Sequence, residues 1–144
     1  MEKIMSVILA VLTGLLAGGQ PNNAADLFTI QLLCTSPEIY RIDYVAYLDS
    51  EYLCTGGVAN FEEKPLNLDP AVLVYFSQDD LEGKEKGAMS LELRLYDEKE
   101  DKEIAVLGPV KVEARLGGKD IIQISGDKTN GFAAKPAAQQ HKSY

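Results

Sequence analysis

Catalysis by a serine, threonine or cysteine nucleophile needs a base beside it, and the usual base is histidine. This sequence holds one histidine, His141, inside the closing stretch "AAKPAAQQHKSY". That stretch has no periodicity and only small or polar residues, so it cannot hold a base in register with a nucleophile. Ser-His-Asp and Cys-His chemistry are excluded on that ground. A structural zinc site needs three or four nitrogen or sulfur ligands, and the two cysteines with this one histidine do not supply them. No glycine loop for phosphate is present: "LGGKD" has Gly117 and Gly118 but lacks the strand–loop–helix frame that would give them that role. The sequence therefore implies no cofactor.

Carboxylates remain. There are 22 Asp and Glu against 14 Lys and Arg, for a net charge of -8. Two of them could run a glycoside hydrolysis, but none sits in a recognisable pattern and a domain of this size leaves little room for a substrate cleft. A carboxylate-based hydrolase is the distant alternative, and the chain reads as no enzyme. Asp79, Asp80 and Glu82 share a loop after a strong strand, the oxygen-rich setting that calcium takes. The spacing is not that of an EF-hand, and Lys84 and Lys86 stand among the acids, so a solvated loop is the simpler reading. Asp97, Glu98, Glu100, Asp101 and Glu103 alternate with Lys99 and Lys102, which makes a self-compensating hairpin tip.

Two residue types carry the rest of the argument. Cys34 and Cys54 are the only cysteines. In an exported chain such a pair is expected to oxidise, closing a loop of about 20 residues and adding on the order of 3 kcal/mol. Two separate buried thiols are the other reading. Tyrosine occurs seven times and tryptophan not at all. In "EIYRIDYVAYLD", Tyr40, Ile42, Tyr44, Ala46 and Leu48 fall on one face, expected to be the core face with the hydroxyls reaching a polar rim. Ile39, Arg41, Asp43, Val45 and Tyr47 fall on the other. Tyr96 likewise shares the polar face of its strand with Arg94. Exposed tyrosine beside arginine is the composition of contact hot spots, so Tyr47, Tyr96, Arg41 and Arg94 are the expected partner contacts. Tyrosine also favours strands for packing reasons alone.

The elements that position these side chains are strands. "SLELRLYD" alternates Leu91, Leu93 and Leu95 with Ser90, Glu92, Arg94 and Tyr96, so one face is buried and one wet. "PVKVEARL" repeats the pattern. "AVLVYFS" is nearly continuous in apolar residues and reads as a central strand. "LFTIQLLC", "EYLCTGGVANF" and "KDIIQISG" complete the set. Gly108-Pro109 marks an edge or bulge, and "SQDDLEGKEKG" a helical turn. No amphipathic helix of useful length appears. Seven or eight short strands at this spacing predict an all-β, antiparallel two-sheet sandwich, immunoglobulin-like in its connections, with a small β-barrel as the competing closure.

The opening has the three parts of a secretory signal: Lys3, an apolar run over residues 4–16, and small residues before Gln20. A spanning helix needs about 20 apolar residues, and "GGQPNN" breaks this one early. Residues 1–24 are therefore expected to be a signal-peptide helix, or an uncleaved anchor and the sole membrane attachment. Residues 25–132 are the sandwich domain and residues 133–144 a disordered tail. Glu2 and Lys3 cancel, so the domain carries the whole negative charge, which repels nucleic acid and anionic lipid. The sequence leads to a secreted or envelope-localised binding module for an extracytoplasmic protein, envelope component or glycan. The alternative is a structural module that assembles through an edge strand.

Overall fold

Side chains that alternate apolar and polar bury one face of a strand and wet the other, so two such sheets stack core to core. The computed structural model describes residues 4–6, 26–60, 62–68, 72–99 and 102–137. Among them are nine strands: β1 (Ile4–Ser6), β2 (Leu27–Cys34), β3 (Arg41–Leu48), β4 (Glu51–Ala59), β5 (Val72–Ser77), β6 (Lys86–Tyr96), β7 (Glu103–Arg115), β8 (Lys119–Asp127) and β9 (Gly131–Pro136), with one 3-10 turn at Leu66–Leu68. They form a five-stranded sheet in the order β1-β4-β3-β6-β7 and a four-stranded sheet in the order β5-β2-β8-β9. The pairing is antiparallel except for β1 with β4 and β2 with β8. The protein is thus nearly all strand in two sheets, and the barrel closure is not formed. No described helix is long and apolar enough to cross a membrane. The expected leader helix and its cleavage point lie outside the described residues except at residues 4–6, which pair with β4 as a strand and are not helical.

The core draws on both sheets. Phe28, Ile30 and Leu32 of β2 meet Ile42 and Ala46 of β3 and Leu91, Leu93 and Leu95 of β6, all essentially without solvent exposure. Each of these side chains except the small Ala46 contributes about 1.5–3 kcal/mol relative to exposure. The Phe28 and Phe76 rings stack with centroids 6.2 Å apart, and Tyr44 tilts against Phe76 at 6.5 Å. The β3–β4 hairpin turns on Asp49 and Ser50, both at positive φ (52° and 71°), the backbone of a tight primed turn. Just inside it a bulge interrupts the ladder: Ala46 faces Cys54 but Tyr47 faces Tyr52. Leu53 is the extra residue, and so Leu53 and Cys54 are both buried. A second bulge sits where Gly108 and Pro109 of β7 oppose Glu92 of β6, between the pairs Leu91–Val110 and Leu93–Leu107. The break expected at Gly108-Pro109 is thus a bulge within one long edge strand.

Four expectations are corrected. Cys34 and Cys54 are not joined. The chain leaves Cys34 for the opposite sheet and enters β3 at Arg41, whereas Cys54 lies opposite Ala46, five positions further along β3. Cys34 closes a strand of one sheet and Cys54 lies within a strand of the other, each buried as a free thiol. Second, "AVLVYFS" is not central: β5 is the edge of its sheet. Third, the ordered ladder does not stop at Phe132. Residues 133–136 continue β9 against β8, and the Ala137 N–H donates to the Ile121 carbonyl at 2.8 Å; residues 138–144 lie outside the described residues. Fourth, Ile39 is fully buried while Tyr40 is half-exposed, because both precede the strand and do not share its pleat.

Candidate contact surfaces

Register places the outward side chains of the five-stranded sheet row by row. Arg41 stands opposite Tyr96 and Ala59, Asp43 opposite Arg94 and Gly57, Val45 opposite Glu92 and Thr55, and Tyr47 opposite Ser90 and Tyr52. Lys111, Glu113 and Arg115 of β7 extend the face past Ser90, Ala88 and Lys86. Around Arg41 and Arg94 the charges are spent on one another. The Arg41 guanidinium grips Asp43 with two hydrogen bonds, Nε to Oδ1 at 3.1 Å and Nη2 to Oδ2 at 2.9 Å. Its carbon also lies 4.0 Å from the centre of the Tyr96 ring, a cation–π contact. Arg94 donates to Glu92 at 3.1 Å from Nη2 and approaches Glu103 at 4.0 Å; Glu92, then Glu103, raise its pKa further. Gly57 makes room for this cluster, since a Cβ there would come within 2.6 Å of Asp43 Oδ1.

The four expected contact residues therefore do not converge. Arg41 and Tyr96 are one pair, and Arg94 belongs to the neighbouring ion cluster. Tyr47 lies six positions along β3 from Arg41, about 20 Å, edge-on to Tyr52 at 6.3 Å. Tyr52 is the more exposed partner at 39%.

The opposite face has another chemistry. Its outward residues are Leu27, Thr29, Gln31 and Leu33 of β2, Leu73, Tyr75 and Ser77 of β5, Ile121, Gln123 and Ser125 of β8, with Lys119 and Lys135 at the rim. Among the described residues, one carboxylate shares it. That is Asp127 at the β8–β9 tip, whose pKa is lowered by hydrogen bonds from the Asn130 backbone and side chain. The residues of β2, β5 and the middle of β8 are half-buried by one another. Sequence reading missed this face because "AVLVYFS" was assigned to the middle of a sheet. A continuous apolar run in an edge strand means instead that its outward residues are apolar as well.

Three other places were candidates for chemistry. Asp79, Asp80 and Glu82 lie on a turn over residues 78–83, where Asp80 Oδ2 accepts the Ser77 N–H at 2.8 Å and Ser77 Oγ accepts the Asp80 N–H at 3.1 Å. Among the described residues no three His, Cys, Asp or Glu side chains converge as a metal requires. A groove of about 560 Å³ runs between the outer side of β7 and the ends of β8 and β9, with Lys111, Glu113, Arg115 and Asp120 on its walls. Its two carboxylates are the pair a hydrolase would have to use, and Asp120 Oδ2 already accepts the Glu113 N–H at 3.3 Å. Finally, the Tyr44 hydroxyl does not reach a rim. It is buried with no hydrogen-bond partner among the described residues. Burial, and then Cys54 and Asp80 nearby, push its pKa well above the ordinary phenol range. Burial likewise raises the Cys34 thiol, partly offset by a backbone hydrogen bond of Ser36.

Compared with models of known protein families the sequence matches none, and compared with curated proteins it matches none.

Proposed function

We propose that this chain is an exported, immunoglobulin-like binding module that docks a protein partner outside the cytoplasm through the outer face of β5, β2 and β8. One observation carries the reading: in a chain of net charge -8, that face presents Leu27, Leu33, Leu73, Tyr75 and Ile121 among neutral amides and hydroxyls, with lysines at its rim. An interface core is depleted of charge and holds aliphatic and aromatic side chains, surrounded by a polar rim. The charged face is a poorer candidate, because Arg41 and Arg94 would have to leave carboxylates they already hold. Lys119 and Lys135 favour a partner whose apolar patch is bordered by acids. Protein is favoured over glycan because the face is mainly aliphatic and carries a single ring on which a sugar could stack.

The test is retention of a partner from the extracytoplasmic fraction of the native host on immobilised protein. Wild type is expected to hold one protein, with little loss at high salt because the contact is apolar. Tyr75→Glu is expected to release it while keeping the wild-type denaturation midpoint. Retention unchanged in a folded Tyr75→Glu protein overturns the proposal. Retention of a sugar in place of a protein, lost in the same variant, would overturn the partner class but keep the face.

A further inference from the structure

The edges of this sandwich are not alike. β7 is guarded by its Gly108-Pro109 bulge and by Lys111, Glu113 and Arg115. β9 carries Lys135 and Pro136 and lies against β7. Charges, proline and bulges are the usual means of keeping an edge from recruiting another strand. β4 has neither charge nor proline beyond its first residue. From Tyr52 to Ala59 it reads "YLCTGGVA", without a charge or a proline, and with two adjacent glycines. Its bulge lies towards β3 and close to the hairpin.

That edge is occupied in part. β1 pairs with it in parallel, Ile4 opposite Thr55, Met5 opposite Gly56 and Ser6 opposite Gly57. The direction is informative. Two copies of β4 meeting about a two-fold axis would run antiparallel, so the seated strand does not imitate self-pairing. It shows instead that the edge takes an extended, uncharged segment from elsewhere in sequence.

We propose that the outer edge of β4 at residues 55–57 is a strand-acceptor site for an extended, uncharged segment of a partner protein added in the parallel sense. Ile4–Ser6 is its intramolecular occupant and holds the place until it is displaced or removed. Main-chain hydrogen bonds supply the affinity in this mode of recognition, and side chains of the donor supply selectivity. Gly56 and Gly57 contribute no side chains of their own, which suits an acceptor that must tolerate different donors. A tethered strand competes at an effective concentration in the millimolar range, so an outside donor binds weakly while β1 is seated. This site is independent of the face proposed above, and either can fail alone.

The experiment uses the full 144-residue chain, the variants Met5→Pro and Ile4→Pro, and a synthetic peptide of residues 1–8. Both variants are needed because alternate N–H groups of β1 point at β4. In wild type, the outward amides at residues 55–57 are expected to exchange slowly. In one of the two variants they should exchange about tenfold faster or more, with the core amides of β2 and β6 unchanged. Added peptide should restore protection, and a spin label on its C-terminal end should broaden Val58 and Ala59 more than Tyr52 and Leu53. Equal exchange in wild type and both variants overturns the proposal. So does a peptide that fails to protect, or a label that reports the antiparallel direction. Protection that returns with protein concentration and no peptide also overturns it, by assigning the edge to a second copy.

Discussion

The two outer faces of the sandwich share one core, yet one is crowded with ionised side chains and the other nearly lacks them. On the five-stranded face Arg41 holds Asp43 and covers Tyr96, and beside them Arg94 holds Glu92 and approaches Glu103. On the four-stranded face Leu33, Leu73, Tyr75 and Ile121 stand opposite or beside uncharged residues of the neighbouring strands. A surface whose charges already have partners gains little from a new one, because each pair must be broken before it can be reused. A surface of half-buried aliphatic groups has apolar area still to remove from water, and each square ångström is worth about 25 cal/mol. Charged appearance is thus a poor guide to where a module binds.

That difference can be broken by experiment. The largest effect expected is on partner retention: Tyr75→Glu should weaken it about a hundredfold, whereas Arg94→Glu should change it by no more than about threefold. Equal effects would dissolve the contrast. Thiol chemistry separates the two sheets by another route, since Cys34 belongs to one and Cys54 to the other. A thiol reagent should label neither in the native protein and both after unfolding without reductant; no labelling after unfolding would mean a covalent tie. Next in size is Tyr44→Phe, which removes a buried hydroxyl without a partner and should raise stability by about 1 kcal/mol, read as a higher denaturant midpoint. Arg41→Ala, on the charged face, should lower stability by about 0.5–1 kcal/mol, and less at high salt.

The smallest effect is acid sensitivity at the β3–β4 turn. The Ala88 N–H, and then Lys84, hold the Asp49 carboxyl below its ordinary value. A lowered native pKa means stability that is present above the unfolded value, near 4, and is lost as pH falls through the native one. Asp49→Asn should therefore lower the denaturation midpoint slightly near neutrality, where the ionised carboxyl is stabilising, and converge with wild type at low pH, which flattens the acid limb of the midpoint plotted against pH.

Alternation made the architecture legible. Leu91, Leu93 and Leu95, and Val110, Val112 and Ala114, are buried as their spacing requires. What alternation does not encode is which sheet a strand joins, because that depends on partners far away in sequence. β5 was placed at a sheet centre for its apolar content, and its true position at an edge is what exposes Leu73 and Tyr75. Compartment and number alone pair the cysteines, whereas both sit at buried core positions in different sheets. β9 was passed over because Ala133, Ala134 and Pro136 have little strand preference of their own; the β8 ladder orders them.

One end of the sandwich is tied by a single residue. The Lys128 N–H donates to Glu38 at 2.7 Å, a partner 90 positions away, and its ammonium reaches Asp97 at 3.0 Å, 31 positions away. Three loops from distant parts of the chain therefore converge there. It is an exposed stitch, ionic on both sides, and concentrated salt should loosen it.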